Sequence, residues 1–107
     1  FVKLGGEMIS LPQMEAALGR HFMAPAGQEG PVLAVDALEE EGQTVLVLFT
    51  TLPLEREQAN AVLREEGLSA LYMLRRVRRL AALPLLGSGK VDYRSLRALA
   101  MQEGQGV

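Results

Sequence analysis

Apolar and polar positions change their period several times along the chain, and each change marks an element. Phe1-Val2-Lys3-Leu4 and Glu7-Met8-Ile9-Ser10 flank a Gly5-Gly6 pair. A two-residue turn with positive φ at both positions takes glycine most readily, so a β-hairpin is predicted. Leu11, Met14, Leu18 and Phe22 then recur at helical intervals, which gives one apolar helix face. Ser10 and Gln13 have capping-box spacing, and Pro12 falls in the first turn, where its missing amide costs nothing. From Pro25 to Gly30 the composition is that of a loop.

Two near-continuous apolar runs follow, Val32 to Ala37 and Thr44 to Thr50. Their β-branched character predicts strands at the centre of a small sheet. Leu38-Glu39-Glu40-Glu41-Gly42-Gln43 reads as a solvated connection, because adjacent carboxylates repel one another. A helix is predicted from about Pro53, with Glu55 and Glu57 in its first turn, Ala59, Val62 and Leu63 as its buried stripe, and Gly67 as its stop. Leu71-Tyr72-Met73-Leu74 predicts a short strand. The last helix should start at an Asp92 N-cap, turn Leu96, Leu99 and Ala100 inward, and fray over residues 102–107. The sum is an α+β domain: an N-terminal β-hairpin plus a small sheet packed with about three helices.

The length of 107 residues suits one domain. A hydrophobic share of 49% with 22% charged residues belongs to a folded chain rather than a disordered tail. Without cysteine there is no disulfide or thiolate metal site, and the single His21 is too little for a zinc centre. No apolar run reaches membrane-span length and no secretory signal opens the chain, so a cytoplasmic location is expected. The chain starts inside a strand pattern, as an excised piece of a larger protein would. Charge is uneven: residues 1–66 carry a balance of −7, and residues 67–99 a balance of +6. The basic third is where an anionic ligand or partner is expected. Few aromatics and an acidic whole argue against nucleic acid.

The basic third holds Leu83-Pro84-Leu85-Leu86-Gly87-Ser88-Gly89-Lys90-Val91-Asp92-Tyr93. Gly87, Ser88 and Gly89 predict a flexible loop that carries Lys90, a compact charge on a long stem. A Walker phosphate loop fails at Pro84 and Val91, and a dinucleotide fingerprint fails at Asp92. The residues alone fit either a mobile catalytic cation or a surface turn with a solvated lysine. Arg75, Arg76, Arg78 and Arg79 fit either a solvated edge or a docking surface for an acidic partner.

The Pro84-x-x-x-x-Gly89-Lys90 segment resembles the end of the C-terminal domain of AMP-forming acyl-activating ligases. The opening resembles that domain's first motif, a hydrophobic-Lys-x-x-Gly-x-x-Ile pattern followed by a helix with Glu. Val2-Lys3-Leu4-Gly5-Gly6-Glu7-Met8-Ile9 and then Met14-Glu15 follow it in register. The likeness covers essentially the whole chain. Within the superfamily, Gly5-Gly6-Glu7-Met8-Ile9-Ser10 and the Lys90 segment look like the acyl-acyl carrier protein synthetase branch, which includes proteins with 2-acylglycerophosphoethanolamine acyltransferase activity. Met8 stands where many CoA ligases carry arginine.

The resemblance implies that residues 1–107 are the mobile C-terminal domain of a fatty-acid ligase, and that a large N-terminal domain is its partner. The reaction would use ATP and Mg2+, held mainly by that other domain, to make an acyl-adenylate from a fatty acid. A pantetheine thiol, of acyl carrier protein or CoA, would then take the acyl group. Lys90 would serve adenylation. Gly5, Gly6, Glu7 and Met8 would form the hairpin beside the pantetheine arm, and Arg75, Arg76, Arg78 and Arg79 would dock the carrier protein. No metal site is implied within the domain, which alone should be nearly inactive, and the parent protein would associate with the inner membrane. The alternatives are a CoA ligase domain and a non-catalytic module whose basic edge binds an acidic partner.

Overall fold

A computed structural model describes residues 1–27 and 30–105, with side chains described to residue 100. The elements follow the predicted order. Strands β1 (Val2–Leu4) and β2 (Glu7–Ile9) form the hairpin, α1 spans Leu11–His21, β3 Leu33–Glu40 and β4 Gln43–Thr50. Then come α2 (Arg56–Glu65), β5 (Leu74–Arg79) and α3 (Tyr93–Gln105). The hairpin stands as its own two-stranded sheet, and the larger sheet has the order β3-β4-β5. β3 pairs antiparallel with β4, and β5 runs parallel to β4.

Strand β4 shows why the chain packs in three layers. Its side chains alternate across the pleat. Leu46 and Leu48 face one core with Ile9, Met14, Leu18 and Leu63, which is the side of the hairpin, α1 and α2. Val45, Val47 and Phe49 face a second, smaller core closed by Leu83 and Leu96, the side of α3. The sheet therefore separates the first third of the chain from its last third.

Local rules set the ends of each element. Ser10 Oγ accepts the Gln13 amide at 3.2 Å at the start of α1. Gly67, at φ 84°, closes α2, and the Leu68 amide bonds back to the Leu63 carbonyl at 3.2 Å. At the head of α3 the Asp92 carboxylate accepts the Ser95 amide at 3.2 Å and its hydroxyl at 2.8 Å. These bonds, the hydroxyl first, hold Asp92 below the usual carboxylate range.

Five expectations change. Helix α2 starts at Arg56 rather than near Pro53, and Glu55 is its N-cap instead of lying in its first turn. The glutamate run is not a long connection: Glu39 and Glu40 belong to β3, and the turn is Glu41-Gly42, both at positive φ (51° and 78°). A tight primed turn lets both strands extend, with Thr44 Oγ1 bonded to Glu39 across them at 2.6 Å. The strand expected over residues 71–74 starts instead at Leu74 and contains the four arginines. Asn60 explains its start, because its side-chain amide bonds both the Leu74 amide (2.8 Å) and carbonyl (3.2 Å). Leu99 is 40% exposed rather than inward, whereas Leu96 is fully buried. The second core is too small to cover more of α3. Finally, α3 continues to Gln105, past the expected start of fraying; Gly106 and Val107 lie outside the described residues.

Strand β3 is an edge with two outward amides covered, those of Val35 and Ala37. The Glu15 carboxylate of α1 accepts the Val35 amide at 2.7 Å, and Asp36 accepts the Ala37 amide at 2.8 Å. A carboxylate on an edge amide removes the template for a further strand.

Candidate functional site

Lys90 closes a small hairpin rather than riding an open loop. Leu85 pairs antiparallel with Val91. The Gly89 amide bonds the Leu86 carbonyl (2.9 Å), the Leu86 amide bonds the Lys90 carbonyl (2.7 Å), and the Asp92 amide bonds the Pro84 carbonyl (2.9 Å). Gly89 takes φ 89° while Gly87 stays out of the left-handed region. That is the arrangement of a turn followed by a one-residue bulge, where the glycine is needed at its end. The two glycines thus play different parts, one geometric and one permissive.

The side chain of Lys90 is exposed and has no hydrogen-bond or ion-pair partner among the described residues. Its nearest acid in sequence, Asp92, is engaged by Ser95 instead. Leu85 and Leu86, 48% and 49% exposed, stand on the facing arm of the same small hairpin. The backbone is therefore fixed while the cation is free, held out beside two apolar side chains.

The Gly5-Gly6 hairpin lies on the other face of the sheet. Both glycines have positive φ, 54° and 82°, as the sequence pattern requires. A Cβ on Gly5 would meet the Leu71 side chain at 3.5 Å, and one on Gly6 would meet nothing within 4 Å. The hairpin is pinned from behind, since Ser69 Oγ donates to Glu7 (3.2 Å) and the Ser10 amide donates to the Tyr72 hydroxyl (3.3 Å). Met8 is 58% exposed, and Lys3 sits opposite it across the hairpin.

The four arginines of β5 do not form one patch. The register with β4 slips at Arg75, which is left unpaired by a bulge. Arg76 and Arg78 then share the α3 face with Val47 and Phe49, while Arg79 turns to the opposite face. Arg76 is tied to Glu40 at 2.5 Å, and Arg79 Nε donates to the Thr51 carbonyl at 3.4 Å. Arg75 is exposed and its side chain has no partner among the described residues. It joins Arg56 and Arg64 of α2 around an open groove of about 640 Å3. The same groove is lined by Leu4, Leu71 and Met73, so it adjoins the Gly5-Gly6 hairpin. Sequence reasoning missed Arg56 and Arg64, which are scattered in the acidic part of the chain and meet Arg75 only through packing of α2 on β5.

A further cluster lies at the β3 edge. The Tyr93 hydroxyl donates to Glu15 Oε2 at 2.5 Å, and Arg97 Nε donates to Asp36 Oδ2 at 2.6 Å. Burial, reinforced by the neighbouring Glu15 carboxylate, pushes the Tyr93 phenol well above its ordinary range. Arg97 is likewise raised, by its bond to Asp36. On the opposite face, Glu66 accepts from both Arg20 and His21, and the Arg20 bond holds its carboxyl low. Among the described residues no three His, Cys, Asp or Glu are gathered to hold a metal ion. No helix there is long and apolar enough to cross a membrane.

These features define an α+β domain with two surface hairpins on opposite faces of one sheet. No family model matches the chain, but several solved structures contain this fold. An acyl-CoA synthetase of Brucella canis superposes with a TM-score of 0.70 at 24% identity, covering 92% of this chain and 18% of that one. The anthranilate CoA ligase AuaEII, solved with anthranoyl-AMP, gives a TM-score of 0.70 at 24% identity, over 97% of this chain and 20% of its own. The fatty acyl CoA synthetase of Mycobacterium tuberculosis gives 0.67 at 20% identity, over 89% and 18%. This chain thus spans about a fifth of the length of the proteins it resembles.

Proposed function

We propose that this chain is the mobile C-terminal domain of an AMP-forming fatty-acid ligase. The observation that carries the reading is Lys90: a fixed backbone presents an exposed amine that no acid among the described residues neutralises. In adenylation a carboxylate oxygen attacks the α-phosphorus of ATP and pyrophosphate leaves. Two anions meet, so a cation aimed at the shifting charge lowers the barrier. Lys90 would bind the fatty carboxylate and the phosphate oxygens, with ATP and Mg2+ held mainly by the larger domain. Leu85 and Leu86 would seat the hairpin against that domain as water is excluded.

The second half-reaction would use the other face. A pantetheine thiol attacks the acyl carbonyl and AMP leaves, while Gly5 and Gly6 let the arm pass close to the backbone. With the sheet between the two hairpins, one active site meets them in turn, by rotation of the domain. The resemblance of the Gly5–Ser10 and Lys90 segments favours acyl carrier protein as the acceptor. The groove beside the hairpin supports this, because Arg64 and Arg75 around apolar Leu71 and Met73 complement an acidic, amphipathic helix, while Arg56 is engaged by the Arg75 carbonyl and by Glu57 of the same groove. Arg76 and Arg79, already bonded internally, would contribute less than their position in the sequence suggests.

The test is Lys90→Ala in the complete ligase. Adenylate formation should fall by about 10²–10³-fold, the cost of one such electrostatic contact. Thioester formation from supplied acyl-adenylate should be nearly unchanged, and equal loss of both half-reactions would overturn the reading. Charge reversal at Arg64 and Arg75 should raise the KM for holo-carrier protein about tenfold and leave the KM for ATP alone. A faster reaction with CoA than with carrier protein would replace the acceptor while keeping the enzyme class.

A further inference from the structure

The lysine hairpin rests on a thin apolar support. On α3, Leu96 is fully buried, while Tyr93 and Ala100 are only partly covered against the second core. A hydrophobic contact of that size leaves a helix free to rock, because apolar attraction has no direction. Two polar contacts one helical turn apart supply the direction. Tyr93 reaches Glu15 and Arg97 reaches Asp36, so both bonds end on or beside neighbouring residues of β3. Glu15 belongs to α1, on the far side of the sheet, and its Oε2 also accepts the Val35 amide. A single carboxylate oxygen therefore joins three elements: α1, the β3 edge and the head of α3.

Tyr93 lies three residues beyond Lys90, and the chain between them is stiff. The Asp92 amide is bonded to Pro84, and the Asp92 side chain caps α3. A shift of Tyr93 is passed directly to the hairpin stem. Around the cluster, Phe1, Leu11 and Pro12 wall a cavity of about 250 Å3. Apolar walls and partial burial strengthen a bond between a hydroxyl and a carboxylate.

We propose that Glu15 is a positioning residue for Lys90, acting through Tyr93 to fix the angle at which the lysine hairpin is presented. This rests on the adenylation role of Lys90. Glu15 and Tyr93 would touch neither the nucleotide nor the fatty acid. Their contribution is orientation: an ammonium about an ångström out of place stabilises the developing charge much less.

The experiment compares Tyr93→Phe, Glu15→Gln, Lys90→Ala and the Tyr93→Phe/Lys90→Ala double variant in the complete ligase. Each half-reaction is measured separately. Tyr93→Phe should slow adenylation about tenfold, the scale of one lost hydrogen bond to a charged group, and leave thioester formation from supplied adenylate within about twofold. Glu15→Gln keeps an acceptor oxygen and should retain most of the adenylation rate. The double variant should be no slower than Lys90→Ala, since a residue acting through the lysine has nothing to orient once it is gone. Backbone amides of Leu86, Gly89 and Asp92 should exchange faster in Tyr93→Phe, with those of α2 unchanged.

An unchanged adenylation rate in Tyr93→Phe, or losses that simply multiply in the double variant, would overturn the proposal. If Lys90→Ala itself damages both half-reactions equally, the functional reading fails first. If Lys90→Ala is selective and Tyr93→Phe is silent, only the positioning role fails.

Discussion

The two surface hairpins solve the same problem by different means. The Gly5-Gly6 hairpin is a primed turn backed by the larger core, into which Ile9 is wholly buried and Val2 and Leu4 are partly packed. Its position is set chiefly by that buried area, with the Ser69–Glu7 and Ser10–Tyr72 bonds added behind it. The Lys90 hairpin is closed by its own backbone bonds and stands over the smaller core, and its direction is set by Tyr93–Glu15 and Arg97–Asp36. Burial gives a broad, insensitive attachment, whereas directed polar bonds give a defined one that single atoms can undo. A segment that must place one amine accurately is better served by the second.

The sharpest way to break the symmetry is to empty each core in turn. Leu96→Ala should cost about 2–5 kcal/mol, as large-to-small core changes do. The loss should be local: amides of α3 and of residues 86–92 lose hydrogen-exchange protection while those of α1 and α2 keep it. Leu18→Ala, on the other face, should lower the protection of all elements together. Uniform loss in Leu96→Ala would show that the two faces unfold as one.

A smaller effect separates the two glycines of the lysine turn. Gly89→Ala forces a side chain to φ 89° and should destabilise the chain by about 1–2 kcal/mol. Gly87→Ala, with neither positive φ nor a close neighbour, should stay within about 0.5 kcal/mol in urea denaturation. Equal costs at both positions would contradict the bulged turn.

The smallest expected difference is in pH dependence. The Tyr93 phenol is raised by burial and Glu15, so its contribution is complete below its ordinary value of 10 and is lost as pH climbs beyond it. Alkali should loosen the α3 face first, and Tyr93→Phe should remove that part of the melting-temperature decline. Glu66, lowered by Arg20, and Asp92, lowered by Ser95, act in the opposite sense. Their contributions are present above the usual carboxylate range and fade as pH falls through it. Both sit near solvent, so the acid effect should be slight and should shrink with salt.

Order and type of elements were legible because periodicity and turn chemistry agree at almost every boundary. Gly5-Gly6, Gly67 and Asp92 each mark an end for a stated steric or hydrogen-bonding reason. The lysine turn was legible as a position but not as a shape, because Gly87 and Gly89 look equivalent in sequence and only one is used for its φ. The arginine run misled for a related reason. Consecutive residues of a strand point to opposite faces, and a bulge at Arg75 shifted the alternation. Asn60 reaching Leu74, Arg64 meeting Arg75, and Glu15 bonding Tyr93 are distant in the chain, and no local pattern announces such pairs.

The covered edge of β3 bears on how the molecule behaves in a crowd. With Glu15 and Asp36 occupying the Val35 and Ala37 amides, the middle of that border is a poor template for a second copy to extend. The opposite border is β5, whose arginines set like charges against any copy that approaches in the same way. Both margins of the sheet therefore discourage edge-to-edge growth into fibres.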